Sequence, residues 1–217
     1  MKTTVIIPAA GLGSRMGNQL KQLMLLDGKP VLSHTLEAFN SHKEIDEIVV
    51  VGPRSLRDIT NKFEKVKALV EGGENRQASV WRGLCALDDD VDWVLIHDGA
   101  RPLVSSRVIS DVLASGVCAI SGVKSKDTIK IADVNNIVED TPDRDGVWLV
   151  QTPQSFPYHI IKKAHQQAID DSFTGTDDAS LVERLQIPVK MIAGDYRNIK
   201  LTTPEDILVA EAYIRGN

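Results

Sequence analysis

The chain has 217 residues, of which 42% are apolar, and it carries a net charge of -5 with a pI near 5.5. This length can build one sizeable hydrophobic core, and we expect a single domain over residues 1–217. The acidic balance argues against nucleic acid as a partner, because proteins that bind the phosphate backbone usually present a basic surface.

Short β-branched runs alternate with helical patterns along the chain. The predicted strands are residues 3–8, 47–51, 67–71, 93–97, 117–123 and 189–193. The predicted helices are residues 30–40, 55–65, 76–87, 105–115, 157–170 and a last one that begins at Thr203. Strands that are separated by single helices pair in parallel through right-handed crossovers. The pattern therefore predicts an α/β fold with a doubly wound, mostly parallel sheet.

The start of the last helix is well marked. Thr203 is a favoured N-cap and Pro204 suits the first helical position. Glu205 and Asp206 then place negative charge in the first turn, where the helix dipole favours it.

Residues 124–150 interrupt the alternation of strands and helices. Segments 127–132, 137–139 and 147–150 resemble short strands, and turn-forming residues separate them at 133–136 and 142–146. This pattern predicts a β-hairpin arm. An isolated hairpin is marginally stable in water, so we expect the arm to pack on a second copy of the chain and form a homodimer. The alternative is an arm that folds back on its own domain.

A glycine-rich loop follows the first predicted strand and carries two cations. It reads AAGLGSRMG from Ala9 to Gly17 and continues to Lys21. Small residues let backbone N–H groups approach an anion, and Arg15 and Lys21 add full charges, so the loop favours a polyphosphate ligand. The glycine spacing matches neither the dinucleotide fingerprint nor the P-loop. The alternative is a tight turn that binds nothing.

Two further loops follow predicted strands, at the sheet edge where ligands of open α/β folds bind. Residues 72–79 (GGENRQAS) either contact a base or ribose through backbone groups or cap the next helix. In the segment 97–102 (HDGARP), Asp98 suits Mg²⁺ or a substrate hydroxyl beside phosphates. The alternative is a turn closed by an Asp98–Arg101 salt bridge. His97 is the weaker candidate, and none of the five histidines has the spacing of a transition-metal site.

The two cysteines, Cys85 and Cys118, form no CxxC pair. We expect both to be buried thiols in a reducing compartment.

The N-terminus lacks the pattern of a signal peptide, and no apolar stretch approaches 18 residues. The sequence therefore predicts a cytoplasmic protein with no membrane partner.

Six segments that follow one another along the chain point to one family. They are AAGxGxRM at 9–16 with Lys21-Gln22, GGxxRxxSV at 72–80, HDGARP at 97–102, TPQ at 152–154, TDDAS at 176–180 and NIKLT at 198–202. Together they resemble the 2-C-methyl-D-erythritol 4-phosphate cytidylyltransferase family over essentially the whole chain. The resemblance implies a Rossmann-like nucleotidyltransferase with a dimerisation arm. It also implies transfer of a cytidylyl group from CTP to methylerythritol phosphate, with Mg²⁺ as cofactor, in the non-mevalonate route to isoprenoids.

The resemblance implies roles for individual residues. Arg15 and Lys21 would stabilise charge on the α-phosphate, and Arg144 and Lys200 would hold the acceptor for in-line attack. The implied nucleotide-binding residues are Ala9, Ala10, Gly11, Gly13, Gly73, Glu74, Arg76, Ser79 and Asp98. The implied acceptor-binding residues are Asp98, Arg101, Thr128, Arg144, Thr152, Thr176 and Lys200. Mg²⁺ is expected near Asp98, mainly on the CTP phosphates, and Thr128, Arg144 and Thr152 are expected to serve the neighbouring subunit's site.

Three other functions are weighed against this one. A related cytidylyltransferase that acts on ribitol 5-phosphate shares the CTP loop. The turn at Thr141–Arg144 followed by Trp148, together with the TDDAS segment, favours methylerythritol phosphate. A nucleotide-binding protein without catalysis stays open unless Lys200 converges on the loop. The glycine spacing does not match the dinucleotide-binding fingerprint, which disfavours a nicotinamide-dependent oxidoreductase.

Overall fold

A seven-stranded sheet forms the centre of the fold. The computed structural model describes residues 1–13 and 19–216. The strands are β1 (Thr3–Pro8), β2 (Leu12–Gly13), β3 (Gln19–Leu20), β4 (Leu25–Leu26), β5 (Lys29–Pro30), β6 (Glu47–Val51), β7 (Val66–Val70), β8 (Trp93–Ile96), β9 (Ala119–Lys124), β10 (Ile131–Ala132), β11 (Val138–Asp140), β12 (Trp148–Pro157) and β13 (Lys190–Ala193). The helices are α1 (Val31–Asn40), α2 (Arg57–Thr60), α3 (Arg76–Cys85), α4 (Ser106–Ala114), α5 (Tyr158–Asp170), α6 (Asp178–Arg184) and α7 (Pro204–Arg215). Short 3-10 turns span Lys21–Leu23, Arg54–Leu56 and Arg144–Gly146.

The strand order in the central sheet is β13-β9-β12-β8-β1-β6-β7. The strand β1 is parallel to β6 and β8, β6 is parallel to β7, and β9 is parallel to β13. The strand β12 is antiparallel to both of its neighbours, β8 and β9. The prediction of a doubly wound, mostly parallel sheet is confirmed.

Both faces of the sheet are covered by helices. Successive side chains of a strand point to opposite faces, so Val5 and Ile6 enter different cores. Ile6 packs in a cluster with Val80 of α3 and Ile161 of α5. Val5 packs in a second cluster with Leu36 of α1. None of the helices within the described ranges is long and apolar enough to span a bilayer.

The predicted helix at 55–65 is wrong for most of its length. The structure has a 3-10 turn at Arg54–Leu56 and the single turn of α2, and the chain leaves the helix at Asn61. The Ile48 N–H donates to the Lys65 carbonyl at 2.7 Å. The Lys65 N–H donates to Asn40 Oδ1 at 3.1 Å, so it does not make the bond to the Asn61 carbonyl that a helix reaching Lys65 would require.

The hairpin prediction is confirmed with shorter strands. Strands β10 and β11 pair antiparallel, and the Asp133 carboxylate closes the turn by accepting from the Asn135 and Ile137 N–H groups at 2.9 and 2.8 Å. Several large apolar side chains of the arm are exposed: Ile131, Val134, Ile137, Val138, Leu149 and Val150.

The TPQ segment at 152–154 does not end a strand. It lies inside β12, which continues to Pro157. Pro153 has no N–H for the sheet, and the pairing of β12 with β9 is interrupted between Val150 and Gln154. The strand continues because β12 also pairs with β8 from Gln154 onward.

The two thiols differ in exposure. Cys118 is buried as expected, but Cys85 is exposed. Cys85 is the last residue of α3, whose buried face ends with Gly83 and Leu84, so its side chain turns to solvent.

Candidate active site

A cleft of about 470 Å³ opens beyond the carboxyl ends of β1 and β8. Five separate segments of the chain line it: Pro8, Ala10 and Gly11; Lys21 and Gln22; Gly73, Glu74, Asn75, Arg76 and Ser79; Asp98, Gly99 and Ala100; and Lys200. Carboxyl ends of parallel strands share one edge of a sheet, which is why loops distant in sequence meet here.

Asp98 lies just beyond β8, and its side chain is 10% exposed. Its Oδ1 accepts from Arg76 Nε at 2.9 Å, and its Oδ2 accepts from Lys200 Nζ at 2.8 Å and lies 3.8 Å from Arg101 Nε. Burial alone would raise the pKa of this carboxyl, but Arg76, Lys200 and Arg101 outweigh burial and hold the pKa well below its usual range. Asp98 is therefore ionised and interacts with three cations at once. The turn that was the alternative interpretation is also present, since the Arg101 N–H donates to the Asp98 carbonyl at 3.0 Å.

Arg76 joins Asp98 to a deeper carboxylate, that of Asp178 in α6. Arg76 Nη1 forms an ion pair with Asp178 Oδ2 at 2.7 Å, and His165 Nε2 lies 3.1 Å from Asp178 Oδ1. Burial alone would lower the pKa of Arg76, but Asp178 and Asp98 outweigh burial and raise it. Burial alone would raise the pKa of Asp178, but Arg76 and His165 lower it. The guanidinium therefore bridges two ionised carboxylates.

A chain of hydrogen bonds behind Asp98 fixes its backbone. The Asp98 N–H donates to Thr152 Oγ1 at 3.0 Å, and that hydroxyl lies 3.1 Å from His97 Nδ1. His97 Nε2 lies 3.0 Å from the Arg101 carbonyl, which can only accept, so Nε2 carries the proton and Nδ1 accepts from Thr152. Burial lowers the pKa of His97 to about 4, which keeps the ring neutral at pH 7. His97 thus helps to fix the position of Asp98 through the Thr152 hydroxyl.

Two glycines permit close approach at the cleft. A Cβ at Gly99 would lie 3.2 Å from the Pro8 carbonyl oxygen, and one at Gly73 would lie 2.6 Å from Ala78 Cβ. Glycine at these positions brings the segments after β8 and β7 against their neighbours.

The segment before α3 both caps the helix and lines the cleft. Asn75 Oδ1 accepts from the Ala78 N–H at 2.8 Å, so Asn75 is the N-cap. The Gly73 N–H donates to Ser79 Oγ at 3.0 Å. Cap and cleft lining therefore come from the same residues.

Ala9 differs from Ala10 and Gly11 in its surroundings. Ala9 is buried, and its N–H donates to the Val51 carbonyl at 2.7 Å. It lies outside the cleft lining, so its backbone N–H belongs to the sheet. Ala10 and Gly11 line the cleft.

Two predicted catalytic lysines line the same cleft. The Leu201 N–H donates to the Ala100 carbonyl at 2.9 Å, which holds Lys200 beside Asp98. Lys21 follows the short β2–β3 pair, in which Gly13 is the partner of Gln19, and Lys21 Nζ donates to the Thr202 carbonyl at 3.3 Å. Lys200 therefore shares a cleft with Ala10, Gly11 and Lys21 of the first loop. Arg15 lies outside the described residues.

A family model for 2-C-methyl-D-erythritol 4-phosphate cytidylyltransferase matches residues 3–216. The chain belongs to this family. A curated relative of that name from Geotalea uraniireducens is 46% identical, over 100% of this chain and 98% of the relative. One from Caldanaerobacter subterraneus is 44% identical, over 99% and 100%.

Solved structures agree with this membership. A 4-diphosphocytidyl-2C-methyl-D-erythritol synthase from Anaerococcus prevotii is 37% identical with a TM-score of 0.89, over 99% of this chain and 96% of that one. The Thermus thermophilus cytidylyltransferase is 32% identical with a TM-score of 0.82, over 99% and 100%. The chain is therefore an enzyme of the nucleotidyltransferase class, a CTP-dependent cytidylyltransferase, as the sequence predicted.

The acceptor residues that the family resemblance implied are dispersed. Arg101 lies beside Asp98, and its Nη1 donates to the Asn198 carbonyl at 2.7 Å. Thr128 and Arg144 are exposed on the arm, and Thr176 is exposed before α6. None of these three lines the described cleft of its own chain.

Thr152 departs from the expectation that it serves a neighbouring subunit. It is 4% exposed and bonded to Asp98 and His97 of its own chain. Because β12 runs beside β8 within one sheet, Thr152 stays under its own active site.

The sequence indicated no role for two buried residues, one in the cleft lining and one behind it. Gln22 is 4% exposed in the cleft lining, and its Oε1 has no hydrogen-bond partner among the described residues. Asp178 was quoted in the TDDAS segment without a function. The sequence signal for Asp178 was a second acidic residue at the start of a helix. Exposed helices commonly show the same pattern, so it did not indicate a buried functional residue.

Proposed function

We propose that this enzyme joins CTP and 2-C-methyl-D-erythritol 4-phosphate to give 4-diphosphocytidyl-2-C-methyl-D-erythritol and pyrophosphate, with the residues below in stated roles. An oxygen of the acceptor phosphate forms a bond to the α-phosphorus of CTP, and the bond from that phosphorus to the β-phosphate oxygen breaks. The acceptor phosphate is already anionic, so no general base is needed. The observation that carries the proposal is the cluster of cations around Asp98 in the family's cleft.

The nucleotide would occupy the glycine-lined end of the cleft. Ala10, Gly11, Glu74 and Ser79 line this end, and all but Glu74 are small residues. Backbone N–H groups near Gly11 suit phosphate oxygens. Ala9 would support this end through the sheet rather than by direct contact.

Lys21 and Lys200 would stabilise the charge that develops on the α-phosphate. Both line the cleft, and their contacts with the Thr202 carbonyl and the Asp98 carboxylate hold each ammonium in place. Positioned cations accelerate phosphoryl transfer because they need no reorganisation in the transition state. Arg15 is proposed for the same task from the sequence alone.

Mg²⁺ fits this cleft as an ion held mainly by the CTP phosphates. Among the described residues, no three His, Cys, Asp or Glu side chains form a metal site. Asp98 supplies one carboxylate, and Mg²⁺ is commonly bound by one or two carboxylates together with substrate phosphates. When bound, the ion neutralises triphosphate charge, and Asp98 is the residue that would hold it.

The acceptor would lie between Asp98 and an arm from a second subunit. Six large apolar side chains of the arm are exposed in the single chain, which favours packing on a partner in a homodimer. Arg144 and Thr128 would then reach the neighbour's site, and Arg101 and Thr176 are assigned to the acceptor by the family resemblance alone. A cytoplasmic location stays a prediction from the sequence.

Pyrophosphate release tests the proposal. Purified protein with CTP, Mg²⁺ and methylerythritol phosphate should release pyrophosphate, and ribitol 5-phosphate should support little turnover. Preference for ribitol 5-phosphate would select the rival acceptor. Absence of release with either acceptor would refute the transferase function.

A further inference from the structure

Asp178 is an almost fully buried charge that the proposed mechanism does not use. It is 1% exposed and does not line the cleft. Its two oxygens face Arg76 Nη1 at 2.7 Å and His165 Nε2 at 3.1 Å. A buried carboxylate carries a large desolvation cost, so its partners decide whether it is tolerated.

Arg76 divides its guanidinium between two carboxylates. Its Nε donates to Asp98 Oδ1 at 2.9 Å, and its Nη1 forms an ion pair with Asp178 Oδ2 at 2.7 Å. Two different nitrogens of one planar group are held, so the orientation of the plane is fixed at both ends. The same Asp98 carboxylate pairs with Lys200 at 2.8 Å.

We propose that Asp178 is a positioning residue for cytidylyl transfer. Its carboxylate holds Arg76, Arg76 holds Asp98, and Asp98 holds Lys200 where the α-phosphate would lie. This role rests on the proposed function. Without the Asp178 charge, Arg76 keeps only its bond to Asp98 and is free to turn toward the cleft.

Asp178→Asn is the direct test, and Asp177→Asn is its matched control. Asp177 caps α6 by accepting from the Ser180 N–H at 2.9 Å and accepts from Gln154 Nε2 at 2.7 Å, and neither bond involves Arg76. Loss of the ion pair between Asp178 and Arg76 should lower kcat about tenfold or more. Asp177→Asn should lower the melting temperature and leave kcat and both KM values near those of the unchanged enzyme.

A double-mutant cycle separates positioning from packing. Lysine at position 76 keeps the charge but offers one ammonium in place of two separate nitrogens. If Asp178 acts through Arg76, adding Asp178→Asn to Arg76→Lys should lower kcat by less than twofold further. Independent, multiplying losses would overturn the proposal.

The remaining outcomes are also decisive. Asp178→Asn with unchanged kcat would overturn the positioning role even if the melting temperature fell. If that variant does not fold, Arg76→Lys alone carries the test, and its unchanged kcat would overturn the proposal. An unchanged enzyme that releases no pyrophosphate would instead refute the proposed function itself.

Discussion

Asp98→Asn removes the negative charge that three buried or partly buried cations share. Removing one partner of a buried ion pair costs about 3–5 kcal/mol, because the remaining charge stays desolvated. Here Arg76 retains Asp178, and the Lys200 side chain is 42% exposed and can turn to solvent. Arg101, with 12% side-chain exposure, bears most of the loss. We therefore expect a loss near the lower end, about 3 kcal/mol.

Thermal unfolding measures this loss. For a chain of this size, 1 kcal/mol corresponds to about 2–4 °C, so the melting temperature should fall by about 6–12 °C. Asp111→Asn is the matched control, since Asp111 pairs with Arg107 at 2.9 Å while 45% exposed. Its cost should be about 0.3–0.5 kcal/mol. Equal decreases in melting temperature for Asp98→Asn and Asp111→Asn would show that burial does not set the contribution of the Asp98 ion pairs to stability.

Three further predictions concern catalysis and pH. Arg15→Ala or Lys21→Ala should lower kcat on the order of 10²-fold. The control Lys190→Ala, at an exposed site outside the cleft, should leave kcat unchanged. Full kcat in Lys21→Ala would remove that residue from the mechanism. Arg144→Ala should raise the KM for the acceptor and leave that for CTP nearly unchanged, and equal weakening of both would mean that the arm is misplaced. His97 stays neutral in the fold because burial lowers its pKa to about 4, while the unfolded chain takes up a proton below about pH 6.5. The free energy of unfolding should therefore fall by on the order of 3 kcal/mol as the pH drops through this window, and urea titrations of His97→Gln should lack that component.

Local signals in the sequence predicted much of the fold. The bounds of β1 and β6 match the prediction, because β-branched residues and flanking turn residues mark them. The last helix begins at Pro204 as expected, with the Asp206 carboxylate accepting from the Thr203 N–H at 2.8 Å. Caps and periodicity act over a few residues, so the chain itself displays them.

Long-range pairing decided the elements that the sequence missed. The helix predicted at 55–65 stops early because the Lys65 N–H bonds to Asn40, and β12 runs through the TPQ segment because β8 pairs with it. Neither partner is visible from local pattern, since each lies in another part of the chain.

The sequence by itself determined the family and most of the cleft residues, because six segments carry the chemistry in fixed order. The tertiary structure alone decided which of these residues pair with one another. It placed Thr152 under its own subunit's Asp98 and joined Asp98 to Asp178 through Arg76. Burial and pairing of charges depend on which elements pack together, and no single segment contains that information.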